Sequence, residues 1–213
     1  MDLVWLGHSS FRLHSQGMVV VTDPFPESLG LRMDGRPADI VTVSNTHPNH
    51  SAAETVGGEP RLFRAPGEYE FSHVVVRGVM TPLPEGAPHE RRNVAYAIEM
   101  DGISVCHLGD LTRPLTTRQV EELRPVDVAL VPAGGQCTLS LDQALQTIQD
   151  LDPKVVVPMH FGHGQEGVAL DGVEQFLRRM GLEDETQPQP RLVVTPGNLP
   201  SDLRVNLMTP PRG

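Results

Sequence analysis

Two histidines three residues apart, His47 and His50, stand in the stretch Ser44-Asn45-Thr46-His47-Pro48-Asn49-His50, directly after the apolar run Ile40-Val41-Thr42-Val43. A buried strand that ends in a turn would present both imidazoles at one edge of a sheet, and imidazole suits zinc and other divalent ions. Two more metal-competent residues follow apolar runs: Asp110 in His107-Leu108-Gly109-Asp110, and His160 in Pro158-Met159-His160-Phe161. A lone histidine is usually a satisfied core residue, but several at the ends of apolar strands point to convergence. His50, His160 and Asp110 would supply two nitrogens and a carboxylate, a set that leaves a position open for metal-activated hydrolysis. His47 adds a fourth ligand or stands behind the others. Gly109 lets the backbone come close beside Asp110.

These residues need strands to carry them. Residues 3–6, 10–14 and 18–22 read as three successive strands, with Ser15-Gln16-Gly17 as a hairpin turn and Asp23-Pro24-Phe25 ending the third. Strands are also expected over 40–44, 61–64, 74–79, 94–99 and 103–106. Asp101-Gly102 joins the last two in a two-residue hairpin, and a short helix is expected over 51–55. After Asp110 the rhythm changes to alternating helix and strand: helices over 116–123, 141–151 and 173–180, strands over 126–131, 155–158, 192–195 and 203–207. Leu141, Ala144, Leu145, Ile148 and Leu151 form a helical stripe capped by Ser140, and Gly181 closes the helix after it. Hairpins followed by alternating elements predict two sheets packed face to face with helices outside.

At 213 residues, 38% apolar and 21% charged, the chain suits one globular domain covering 1–213. A net charge of −10 argues against nucleic-acid binding, which relies on neutralising phosphates. There is no run long enough to span a membrane and no signal-like leader, so a cytoplasmic setting is expected. Cys106 and Cys137 lie in or beside apolar runs without a CxxC spacing, which predicts buried thiols rather than zinc ligands or a disulfide.

The chain resembles the metallo-β-lactamase superfamily, and within it a small branch of predicted zinc-dependent hydrolases with lactonase-like members. The resemblance is carried by Trp5-Leu6-Gly7-His8-Ser9-Ser10-Phe11, Thr22-Asp23-Pro24-Phe25, Pro66-Gly67-Glu68-Tyr69-Glu70, His107-Leu108-Gly109-Asp110, Pro132-Ala133-Gly134-Gly135 and Pro158-Met159-His160-Phe161. It implies an α+β fold, the four-layer αββα sandwich, with a two-metal site at one edge of the sheets. The family motif His-x-His-x-Asp-His falls on Asn45, Thr46, His47, Pro48, Asn49 and His50, so its first histidine and its aspartate are both asparagine here. A further family histidine is expected after 74–79, where this chain reads Thr81-Pro82-Leu83-Pro84, and His89 has the wrong spacing. By the resemblance, the first metal keeps only His47, the second keeps His50 and His160, and Asp110 would bridge both. The catalytic positions are Asp110 and Asn49, and Asn49 cannot accept a proton at neutral pH. His8, Asn45, Glu68 and His163 are expected to line the pocket.

Two readings follow. The first is a hydrolase with a reduced, single-zinc site acting on a small ester, lactone or phosphate-bearing substrate. The second is a metal-free pseudoenzyme whose old cleft binds a small ligand or a partner. A nuclease of the same fold ranks below both, since the chain is acidic and lacks the full two-metal set.

Overall fold

The computed structural model describes residues 1–82, 92–162, 169–182 and 186–209. With strands numbered in chain order, the first sheet holds β1 (Asp2–Gly7), β2 (Ser10–Ser15), β3 (Met18–Thr22), β4 (Ile40–Thr42) and β5 (Arg61–Phe63). Leu192–Val193, β12, is added beside β1. The second sheet runs in the order β13-β11-β10-β9-β8-β7-β6, from Arg204–Val205 (β13) through Val155–Met159 (β11), Val128–Pro132 (β10), Ile103–His107 (β9), Val94–Met100 (β8) and Val74–Met80 (β7) to Gly67–Phe71 (β6). Strands β1, β2 and β3 are antiparallel neighbours, so β1 and β3 point the same way, and β4 joins β3 in parallel. In the second sheet β9, β10 and β11 are parallel. The carboxyl ends of β1, β3 and β4 therefore share one edge of their sheet, and those of β9, β10 and β11 share one edge of theirs.

Alternation along each strand builds the layers. Leu3, Trp5, Phe11, Leu13, Val20 and Ile40 belong to the apolar cluster that joins both sheets. Their neighbours Leu6, Val21, Val41 and Val43 belong to a second cluster on the opposite face. That outer face is covered by short turns of helix, Glu27–Leu29 and Ala53–Thr55, and by Phe25, Leu31 and Met33 of the intervening loop. Longer helices cover the second sheet. Thr117–Leu123 (α2) lies on β7 and β8, Leu141–Leu151 (α3) on β10, and Glu174–Arg179 (α4) against α3. The four layers are all present, with a thin outer layer on the first sheet. Ser140 caps α3 as its sequence predicts, in a capping box with Gln143, and Thr116 and Gln119 do the same for α2.

Two elements differ from expectation. The helix near the histidine pair begins earlier, as Pro48–Ser51 (α1), because Pro48 is suited to a first helical position and the His47 ring accepts from the Asn49 amide. The second is the Pro66-Gly67-Glu68-Tyr69-Glu70 segment, which is outside the expected strands but carries one, β6. It pairs antiparallel with β7, and Tyr69 stacks on Phe63 at 4.2 Å while Glu68 and Glu70 face solvent at the sheet edge. Among the described residues no helix is long and apolar enough to cross a membrane.

Candidate metal centre

Strand ends from both sheets meet at one edge. His8 follows β1, Asp23 follows β3, Ser44 and α1 follow β4, Asp110 lies three residues beyond β9, and His160 follows β11. The His160 amide donates to the His8 carbonyl at 3.0 Å, and the Val94 amide donates to Ser44 at 2.8 Å, so backbone bonds tie the sheets together at this edge. His8, Asp23 and His160 each adopt positive φ, at 52°, 37° and 52°. An L-residue holds such a conformation only where its surroundings impose it, and such residues gather at functional sites.

His8, His50 and His160 are each 2% exposed, and their rings form a compact group. Centroids lie 4.2 Å apart for His8 and His160, 4.9 Å for His8 and His50, and 5.4 Å for His50 and His160. One ligand atom from each lies within 4.8 Å of the others. Asp110 Oδ1 stands 3.9 Å from His160 Nε2, beyond hydrogen-bond range. That oxygen and His160 Nδ1 are both buried without a hydrogen-bond partner among the described residues. Buried polar atoms are normally satisfied, and a cation between Asp110 Oδ1 and a ring nitrogen of His160 would satisfy the carboxylate oxygen.

The group is held by residues around it. Asp23 is fully buried and accepts from the Ser44 amide (2.7 Å), the Ser44 hydroxyl (2.5 Å) and His50 Nδ1 (2.8 Å). Because an ionised carboxylate only accepts, the His50 proton sits on Nδ1 and Nε2 keeps its lone pair for a metal. Burial pushes the Asp23 carboxyl up, but the charges of His107 and His50 and the bonds from His50 and Ser44 bring it below its ordinary value. Burial likewise pushes His50 down, but the bond to Asp23 and the charges of Asp23 and Asp110 together outweigh it and leave the pKa raised. His160 is different: burial takes it down to about 4 against the pull of Asp110, so it stands neutral as a ligand must. Asn93 orders the other side. Its side-chain carbonyl accepts from the Asp110 amide at 2.8 Å, and its amide donates to Thr81 and Leu108. Gly109, at φ 59°, passes so close that a Cβ there would collide with Asn93 and Ser44, which is why glycine precedes Asp110.

The residues expected at the first metal are placed elsewhere. His47 is exposed, and its ring accepts from the Asn49 amide. Asn45 donates to Ser44 and accepts from the His47 amide, so it serves the turn. Asn49 is half-buried on α1. Glu68 is mostly exposed and pairs with Arg77 at 3.1 Å. It lines a cavity of about 600 Å³ beneath β7 and α2 that includes none of His8, His50, Asp110 or His160. His89 and His163 lie outside the described residues. His8, expected only as a pocket residue, stands inside the histidine group. Asp23 and Asn93 carried no expected role; Asp23 had a sequence signal, an acidic residue between an apolar strand and a proline. Cys137 corrects the expectation of a buried thiol, since it is exposed on the loop after β10, while Cys106 is buried.

A family model described as a beta-lactamase superfamily domain matches residues 2–160. A UPF0173 metal-dependent hydrolase of Methanoculleus marisnigri is 31% identical over 186 residues, covering 76% of this chain and 81% of that protein. A solved Thermotoga maritima structure, titled a candidate Zn-dependent hydrolase of the metallo-β-lactamase superfamily, superposes with a TM-score of 0.80 at 34% identity over 97% of both chains. A metallo hydrolase from Ignicoccus hospitalis shares the fold, with a TM-score of 0.67 at 20% identity over 91% of this chain and 99% of its own.

Proposed function

Because this chain belongs to the beta-lactamase superfamily domain family, whose model spans residues 2–160, we propose that it is a metal-dependent hydrolase working with one divalent ion, zinc by the donor set, at the edge formed by His8, His50, His160 and Asp110. The observation that carries this reading is Asp110 Oδ1, buried without a hydrogen-bond partner among the described residues, beside three buried imidazoles within 4.8 Å of one another. A bound ion would supply Lewis acidity toward an oxygen of substrate or water. Asp23 fixes the tautomer and direction of His50. His160 stays neutral at physiological pH. Asp110 is 26% exposed, so a carboxylate oxygen reaches the solvent side; there it orients water and takes its proton, a task that Asn49 cannot perform. Asn45 and His47 are engaged in the turn, which supports one ion rather than two.

The substrate on this reading is a small ester, lactone or phosphate-bearing molecule. Nucleic acid is disfavoured by the net charge of −10. A cytoplasmic setting suits two unpaired cysteines. The test is hydrolysis of lactone, carboxylate-ester and phosphodiester panels by protein purified without chelator. The expected result is turnover that disappears on chelation, returns with zinc, and is absent in His160→Ala. Metal-independent turnover would overturn the metal-dependent reading, and a chain that neither takes up an ion nor turns over any substrate would favour the pseudoenzyme reading instead.

A further inference from the structure

Asp110 and His160 have a second neighbour. Cys137 brings its sulfur to within 4.8 Å of a ligand atom of each, forming a second donor triad that shares His160 with the three-histidine group. The loop that carries Cys137 is fastened on both sides. Gly134 passes so close to the His160–Phe161 backbone that a side chain there would collide with it. The Asp171 amide donates to Gly134 at 2.9 Å, and Gln136 bonds the Asp171 carboxylate at 3.1 Å. On the other side, the Leu139 amide donates to the carbonyl of Leu111, next to Asp110, at 2.9 Å. His160, 2% exposed, has Nδ1 without a hydrogen-bond partner among the described residues, and the Asp110 oxygen facing its ring is orphaned as well.

We propose that Cys137 is a thiolate ligand of the cation held by Asp110 and His160, so that the site selects a thiophilic ion of the zinc class over hard ions such as magnesium or manganese. This rests on the single-metal reading above and names which ion that reading takes. Thiolate ligands favour zinc-class ions, whereas carboxylate and water suit harder ones. Binding replaces the sulfur–hydrogen bond with a sulfur–metal bond and releases one proton to solvent. The thiolate also restores the negative charge missing at Asn49, so that Asp110 and Cys137 together balance a divalent ion.

The test uses the full chain loaded with cobalt(II), in parallel with cadmium and manganese titrations. The proposal expects a thiolate-to-cobalt charge-transfer band in the near ultraviolet that is absent in Cys137→Ser. It also expects cadmium affinity in that variant to fall by at least the roughly tenfold that loss of an outer-shell partner costs, with manganese affinity unchanged. Cys137→Asp keeps an anionic ligand at the position, so it should still bind cobalt, without the band, and should gain affinity for manganese. Cobalt that binds without the band, or a band that persists in Cys137→Ser, overturns the thiolate assignment and leaves the hydrolase reading standing. No cobalt bound at any concentration overturns both.

Discussion

The segment that enters the site, residues 44–50, contains two different fates for metal-type residues within a single turn. Asn45 and His47 spend their polar atoms on backbone amides, and His47 faces solvent. His50, three residues on, is buried, oriented by Asp23, and grouped with His8 and His160. The difference teaches that a binding site is marked by polar atoms left unspent in a buried place, rather than by the ligand-type residue alone. Asp110 Oδ1 and His160 Nδ1 are such atoms; the Asn45 carbonyl and the His47 ring nitrogen are not.

The comparison is sharpened most by reversing it. Asn45→His with Asn49→Asp returns the turn to the family pattern, and a second ion per chain should appear in zinc titrations by calorimetry. A double variant with unchanged stoichiometry would mean that the turn, and not the residue types, forbids the first metal. Asp23→Asn comes next. It removes the carboxylate that sets the His50 tautomer, and zinc affinity should fall by about 10–100-fold. The same change strips His50 and Ser44 of an ionised buried partner, and unfolding by denaturant should show a loss of about 1–3 kcal/mol. Equal zinc binding by wild type and variant would remove Asp23 from the account.

Protons should distinguish the two buried histidines in the chelated protein. The unfolded chain protonates His160 near 6.5, while the folded chain resists until about 4. Between those values the unfolded state binds more protons, so stability rises as pH rises and is lost as pH falls, and His160→Asn should flatten that part of the curve. His50 has the opposite sign, since its folded pKa is raised. Its contribution is fully present below the unfolded value of 6.5 and is lost as pH rises through the folded pKa. A pH series of thermal melts reads both. The smallest effect belongs to His47→Ala: zinc affinity should stay within about twofold, and stability should fall by no more than the ~0.5–2 kcal/mol of a lost helix cap.

Much of this arrangement is legible in the chain. The strands that deliver the ligands are short apolar runs; His160 follows its strand directly, Asp110 comes three residues after β9 and His50 sits on α1 beyond β4, so pattern alone puts them near sheet edges. Glycine at 109 announces a close approach, and the structure finds Asn93 and Ser44 against it. The rest depends on three-dimensional neighbours. His8 looks like an ordinary turn residue until its carbonyl is seen holding the His160 amide. The role of Asp23 comes from its burial and its contact with a histidine 27 positions away. The strand Gly67–Phe71 is obscured by its charges, because an edge strand can place glutamates in water and still pair through its backbone. Cys137 follows an apolar strand, which suggests burial, but the glycines before it carry the loop out to the rim.

The most direct test is to count and locate the ion. Crystals of the full chain grown with zinc, with anomalous differences collected across the zinc edge and metal content measured on the same sample, read both at once. One ion per chain within coordination reach of His50, His160 and Asp110, lost in His160→Ala and retained in His47→Ala, is the predicted result. Two ions per chain, no ion, or an ion that depends on His47 would contradict it.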